Sequence, residues 1–149
     1  MISFTKRKGK EKMLKIVIPG NPVTKKNHGQ MIPIKSTKLN PKTGKMETKM
    51  RNIMLPSKPY QEYEKHCKEY IPKIEEPINY PITLQCHYYL ETRRKCDLTN
   101  LLQATCDILV KYGILEDDNY SIVASFDGSK AIYDKENPRV EIYIEKKDN

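Results

Sequence analysis

With 149 residues, 38% of them hydrophobic, the chain is long enough for one modest core. A net charge of +8 and a mean hydropathy of -0.73 describe a polar molecule. No apolar run approaches the roughly 20 residues that cross a bilayer, and the start MISFTKRKGKEKM has no apolar stretch of the kind a secretory signal needs.

The charge is placed asymmetrically. Residues 1–51 hold 14 Lys/Arg against Glu11 and Glu47, a balance of +12; the remainder holds 13 against 17 acids, a balance of -4. A basic segment neutralises phosphates and releases their counterions, so nucleic acid is the partner this asymmetry suggests, against the plain alternative of a solubilising surface. Cys67, Cys86, Cys96 and Cys106 show no CxxC spacing, which fits reduced thiols in a cytoplasmic protein. The neighbours His66-Cys67 and Cys86-His87 project in different directions from a helix or strand, which argues against a tetrahedral zinc site.

Residues 1–13 read as a disordered basic tail ahead of a single domain over 14–147. LKIVIPG (Leu14–Gly20) reads as a buried strand stopped by Pro19-Gly20. The loop NPVTKKNHGQ follows, with Lys25, Lys26 and Asn27 as successive donors. MIPIKST and KMETKMRNIML predict a hairpin turned at NPKTG, basic enough to suit an arm lying along a nucleic-acid backbone. Ser57 and Pro59 form a helix start, and YQEYEKHCKEYI continues it towards Pro72. The linker PKIEEPINYP is followed by ITLQCHYYL, whose alternation predicts a strand with Ile82, Leu84, Cys86, Tyr88 and Leu90 on one face. YSIVASF and RVEIYIE are two further strands. The sum is an α+β domain: a mixed β-sheet, two main helices and a basic β-hairpin arm.

Between Asp97 and Gly113 the period is helical. Leu98, Leu101, Leu102, Thr105, Leu109 and Tyr112 form a core stripe, while Asn100, Gln103, Asp107 and Lys111 lie on the wet face. Asp97 suits an N-cap and Gly113 the residue past the end. Asp97 can therefore be a cap, and Asp117-Asp118 a surface turn. Their combination with the cations Arg93, Arg94 and Lys95 suggests a nuclease instead: hard Mg²⁺ takes one or two carboxylates plus water and phosphate oxygens, while nearby cations hold the backbone.

RRKCDLTNLLQATCDILVKYGILEDD resembles the signature of the RusA family of Holliday-junction resolvases: a basic run, D-x-D-N-L-x-K, D-x-L further along the helix, and a closing D-D. IPGNPVTKKNH, LPSKPYQEYE and the C-terminal strands extend the likeness more loosely, so it covers most of the chain from about Leu14. The resemblance implies a homodimeric, Mg²⁺-dependent crossover junction endodeoxyribonuclease acting on branched DNA in recombination and repair, with Mn²⁺ the other candidate ion. By position, Asp97 matches the first catalytic aspartate, and Asp117 and Asp118 match the closing pair, Asp118 being favoured within it. Asn100 and Asp107 match the family asparagine and mid-helix aspartate. Two positions depart: the second aspartate is Thr99 and the helix lysine is Gln103. They are neighbours one turn apart, so losing an acid and a base together preserves the local charge but removes a ligand and a phosphate contact. The alternative is accordingly a junction- or DNA-binding protein without nuclease activity.

A complete helix from Leu98 to Tyr112 spans about 22 Å at ~1.5 Å per residue, and the six residues onward to Asp118 return at most about 20 Å at ~3.3 Å each. Asp97 and Asp118 can barely meet in one chain. Either the helix starts beyond Asn100, or a dimer partner helps to assemble the acids.

Overall fold

A computed structural model of the chain describes residues 3–7, 10–25 and 30–147. Its elements run β1 (Ser3–Arg7), β2 (Lys10–Pro19), β3 (Gln30–Leu39), β4 (Met46–Leu55), α1 (Lys58–Lys68), β5 (Ile82–Leu90), α2 (Leu98–Lys111), β6 (Val123–Ser125), β7 (Lys130–Tyr133) and β8 (Arg139–Lys146).

The main sheet has the spatial order β1-β2-β8-β5-β6, with β7 also on β5. β5 pairs antiparallel with β8 and parallel with β6 and β7, so the sheet is mixed. Alternation of apolar residues fixes its buried face. Leu14, Ile16 and Ile18 of β2 stand opposite Ile144, Ile142 and Val140 of β8, which in turn oppose Leu84, Cys86 and Tyr88 of β5. All nine are buried. Helix α2 joins this core through Leu101, Leu102, Ala104, Thr105, Cys106, Ile108 and Leu109. One buried polar bond ties helix to sheet, between the Tyr88 hydroxyl and Thr105 Oγ1 at 2.6 Å. The Thr105 hydroxyl also donates to the Leu101 carbonyl.

The hairpin β3–β4 stands apart as its own two-stranded sheet, in register from Gln30↔Leu55 to Leu39↔Met46. Gly44 closes its turn at φ +67°, a left-handed conformation that favours glycine. Lys35, Lys38, Lys42, Lys45, Lys49 and Arg51 face a single acid, Glu47, along its length. Register also places Met31, Leu39, Met46 and Met50 together on one exposed face.

The expected architecture is present, with several local differences. YSIVASF is a strand only over Val123–Ser125, because the Ile122 and Val123 N–H groups bond the Asn119 carbonyl in a turn before it. Ser3–Arg7 pair with β2 where the sequence reading has an unstructured tail; an edge ladder is built from backbone groups and tolerates lysine well. β7 has no apolar alternation to announce it, since all four residues are exposed. Helix α1 ends at Lys68 rather than running on to Ile71; the Glu69 and Tyr70 amides bond the His66 and Cys67 carbonyls, one residue closer than an α-helix requires. The buried stripe of α2 is wider than predicted because Ile114 and Leu115 fold back over the helix end, covering a second side.

Candidate functional site

The two ends of α2 treat their acids differently. Asp97 takes the N-cap position with extended backbone (φ -76°, ψ 127°), yet its carboxylate caps no backbone N–H. The Asn100 amide approaches Asp97 Oδ2 at 3.5 Å, and the Asp97 carbonyl accepts the Asn100 and Leu101 N–H groups. Capping thus does not consume this carboxylate, which stays exposed beside Arg93, Arg94 and Lys95. Arg93 lies over the Tyr133 ring at 4.1 Å. Arg94 and Lys95 border a cavity with Asn21, Thr24 and Cys96.

After the helix, local chemistry returns the chain. Gly113 has φ +80°, the left-handed conformation expected past a helix C-terminus. It allows Ile114 and Leu115 N–H to reach the Leu109 carbonyl. The Ile78 N–H then bonds the Ile114 carbonyl and the Glu116 N–H bonds the Ile78 carbonyl, clamping the returning segment to the linker. Asp117 spends both carboxylate oxygens on a turn: Oδ1 accepts the Asp118 N–H at 2.8 Å and Oδ2 accepts the Asn119 amide at 2.9 Å. Those bonds, the Asp118 N–H first, hold its pKa below the ordinary carboxylate value.

The turn delivers Asp118 to the middle of α2. Gln103 Nε2 donates to Asp118 Oδ2 at 3.2 Å and to Asp107 Oδ1 at 3.1 Å. An amide nitrogen has two protons and ionised carboxylates only accept, so this neutral side chain fits both acids at once. Lys25 pairs with the other oxygen, Asp107 Oδ2, at 3.0 Å. Lys25, Asp107 and Asp118 line a cleft of about 660 Å³ together with Gln61, Glu64, Lys65, Lys111 and Asp117, with Leu55 and Pro56 at the foot of the hairpin. Glu64 is engaged by Lys111 across the mouth between α1 and α2.

The helix begins at Leu98, so the expectation of a start beyond Asn100 does not hold. Asp118 reaches α2 at the level of Gln103, six residues past Asp97, about 9 Å along the axis at ~1.5 Å per residue. Among the described residues no three His, Cys, Asp or Glu side chains come close enough together to hold a metal ion. Thr99 is exposed on this side, where a carboxylate would have added to the cluster. Lys26 and Asn27 lie outside the described residues. The joint engagement of Asp107 by Gln103 and Lys25 was not foreseen, although the i, i+4 spacing of Gln103 and Asp107 signals half of it.

The cleft's acids are of the donor type that hard divalent cations take, although among the described residues of one chain they form no ready-made cluster. The acids of the cleft offer only oxygen ligands, and ions such as Mg²⁺ are commonly held by one or two carboxylates with water and phosphate oxygens completing the shell.

The mixed sheet and its two helices thus carry a basic arm whose foot opens onto an acid-lined cleft. The family described as Endodeoxyribonuclease RusA matches residues 19–145. The chain belongs to that family, whose members are endodeoxyribonucleases that act on branched DNA, resolve Holliday junctions and generally depend on a divalent metal. No curated protein sequence matches it. No helix among the described residues is long and apolar enough to cross a membrane.

Proposed function

We propose that this protein is a crossover junction endonuclease that nicks paired strands of a four-way DNA junction by Mg²⁺-dependent phosphodiester hydrolysis, in recombination and repair. The observation supporting this most is the return of Asp118 onto the wet face of α2, beside Gln103 and Asp107. The single nuclease domain covers residues 14–147, with β1 and the start of β2 adding to the edge of its sheet.

Asp118 is the main metal carboxylate; Asp97, about 9 Å away along α2 at ~1.5 Å per residue, is the second, with a dimer partner helping to bring the acids together. Asp117 belongs to the same cluster but acts through its turn, which aims Asp118. The bound ion supplies water activation and neutralises charge on the scissile phosphate. Asn100 steadies the Asp97 carboxylate, and Gln103 sets the spacing of Asp107 and Asp118 without adding charge. Lys25, Arg93, Arg94 and Lys95 hold phosphates, joined by Lys26 and Asn27 of the same loop as Lys25. The basic hairpin extends the grip along the backbone for about 33 Å, ten residues at ~3.3 Å each. Symmetric nicking needs two such sites related by a two-fold axis, hence a homodimer.

A second reading, junction binding without cleavage, draws on Thr99 and on the spread of the carboxylates. One assay separates the two. Labelled four-way junction and linear duplex are incubated with the protein, with and without Mg²⁺, and scored for shift and for nicks. Paired nicks in the junction at Mg²⁺, and none in the duplex, are expected. Salt-sensitive binding with no nick at any Mg²⁺ or Mn²⁺ concentration would establish the binding-only reading instead.

A further inference from the structure

We propose that Lys25 is a catalytic cation of the cleavage centre, rather than one more backbone contact; this rests on the nuclease reading above. An acidic cleft repels the phosphate it must cleave unless a cation stands inside it. The other basic residues there do not fill that place. Lys111 pairs with Glu64, an acid with no described bond to Asp107 or Asp118, and Lys65 has no described ion-pair partner to hold it. Gln103, next to Asp118, is neutral.

Lys25 is mounted from three directions. The loop that brings it is pinned: the Gly20 N–H donates to the Pro138 carbonyl at 2.9 Å, and Asn21 Oδ1 accepts the Glu91 N–H at 3.0 Å. Pro22 is buried beyond them and Val23 packs on the core. The Lys25 ammonium then lies 5.5 Å from the ring centroid of Tyr60, a fully buried residue of α1. Its other contact is Asp107 Oδ2, and the second oxygen of that carboxylate accepts Gln103, which also donates to Asp118. One carboxylate therefore fixes a positive charge and a metal-facing acid in a constant relation. At 42% side-chain exposure the ammonium still meets solvent, and can meet a phosphate oxygen. A cation so placed before substrate arrives stabilises charge developing on the phosphate without reorganisation.

The test compares single-turnover cleavage of a four-way junction at saturating protein and Mg²⁺ with junction affinity measured in metal-free buffer. Lys25→Met should slow the saturated rate at least tenfold, with metal-free Kd rising less than threefold. Lys25→Arg should stay within threefold of wild type in rate. Moving the charge to the partner position, in Lys25→Met/Gln103→Lys, should recover most of the lost rate, and Lys25→Met should leave the denaturation midpoint near wild type, which a purely structural clasp between Lys25 and Asp107 does not predict. An unchanged saturated rate with weakened binding would reduce Lys25 to a backbone contact and overturn the proposal, as would a rate loss that the double variant leaves unrepaired. Failure of the wild-type protein to cleave any junction would instead remove the nuclease reading on which the proposal stands.

Discussion

Helix α2 has two faces with opposite demands. The inner face, from Leu101 to Leu109, is closed in apolar side chains and tolerates one polar bond, between Thr105 and Tyr88. The outer face collects Asn100, Gln103 and Asp107 and receives Asp118 from the returning chain. Packing fixes the helix from one side, so the other can hold repelling carboxylates at a constant distance. The geometry of the outer face is thus borrowed from the core beneath it.

Changes on the inner face should lower stability and spare chemistry, and changes on the outer face should do the reverse. Leu109→Ala is the largest expected loss, about 2–5 kcal/mol for a fully buried leucine, read as a fall in denaturation midpoint with cleavage retained at permissive temperature. Thr105→Val keeps the shape but strands the Tyr88 hydroxyl, costing about 1–3 kcal/mol by the same measurement. If either variant lost cleavage while keeping its stability, the two faces would not be separable.

Titration sharpens the contrast. Burial pushes the Cys67 thiol up to about 11 and those of Cys86 and Cys106 up to about 12. Groups whose pKa is raised on folding favour the fold fully below their unfolded value, near 9, and this contribution is lost as pH rises through 11 to 12. In native protein at neutral pH a disulfide-exchange reagent should therefore titrate only Cys96, just before α2, and all four thiols after unfolding. Prompt labelling of Cys106 in the folded protein would contradict a closed inner face. The smallest effect belongs to Asp117, whose folded pKa is lowered. Its contribution is present above the ordinary carboxylate value of 3.8 and is lost as pH falls through the folded one. Asp117→Asn should flatten that acid limb of the stability curve.

Much of this was legible in the sequence because period and punctuation are local. The alternation of ITLQCHYYL, the Ser57–Pro59 start and the Gly113 stop each act within a few residues and reappear as β5, α1 and α2. The RRK run and the closing Asp-Asp flank α2 in the chain. What the sequence hid was nonlocal or without pattern. β7 has no buried side to show, and the pairing of Lys25 with Asp107 joins residues far apart in the chain. The engagement of both Asp117 oxygens within its own turn likewise has no pattern in the sequence.

The central claim, that the outer face of α2 is a metal-dependent cleavage centre with Asp118 at its heart, is met most directly by Asp118→Asn. Cleavage of a labelled four-way junction at saturating Mg²⁺ should fall by at least about a hundredfold, the scale of losing one key charge-stabilising group, while junction binding and denaturation midpoint stay near wild type. Cleavage by Asp118→Asn at the wild-type rate would contradict the account.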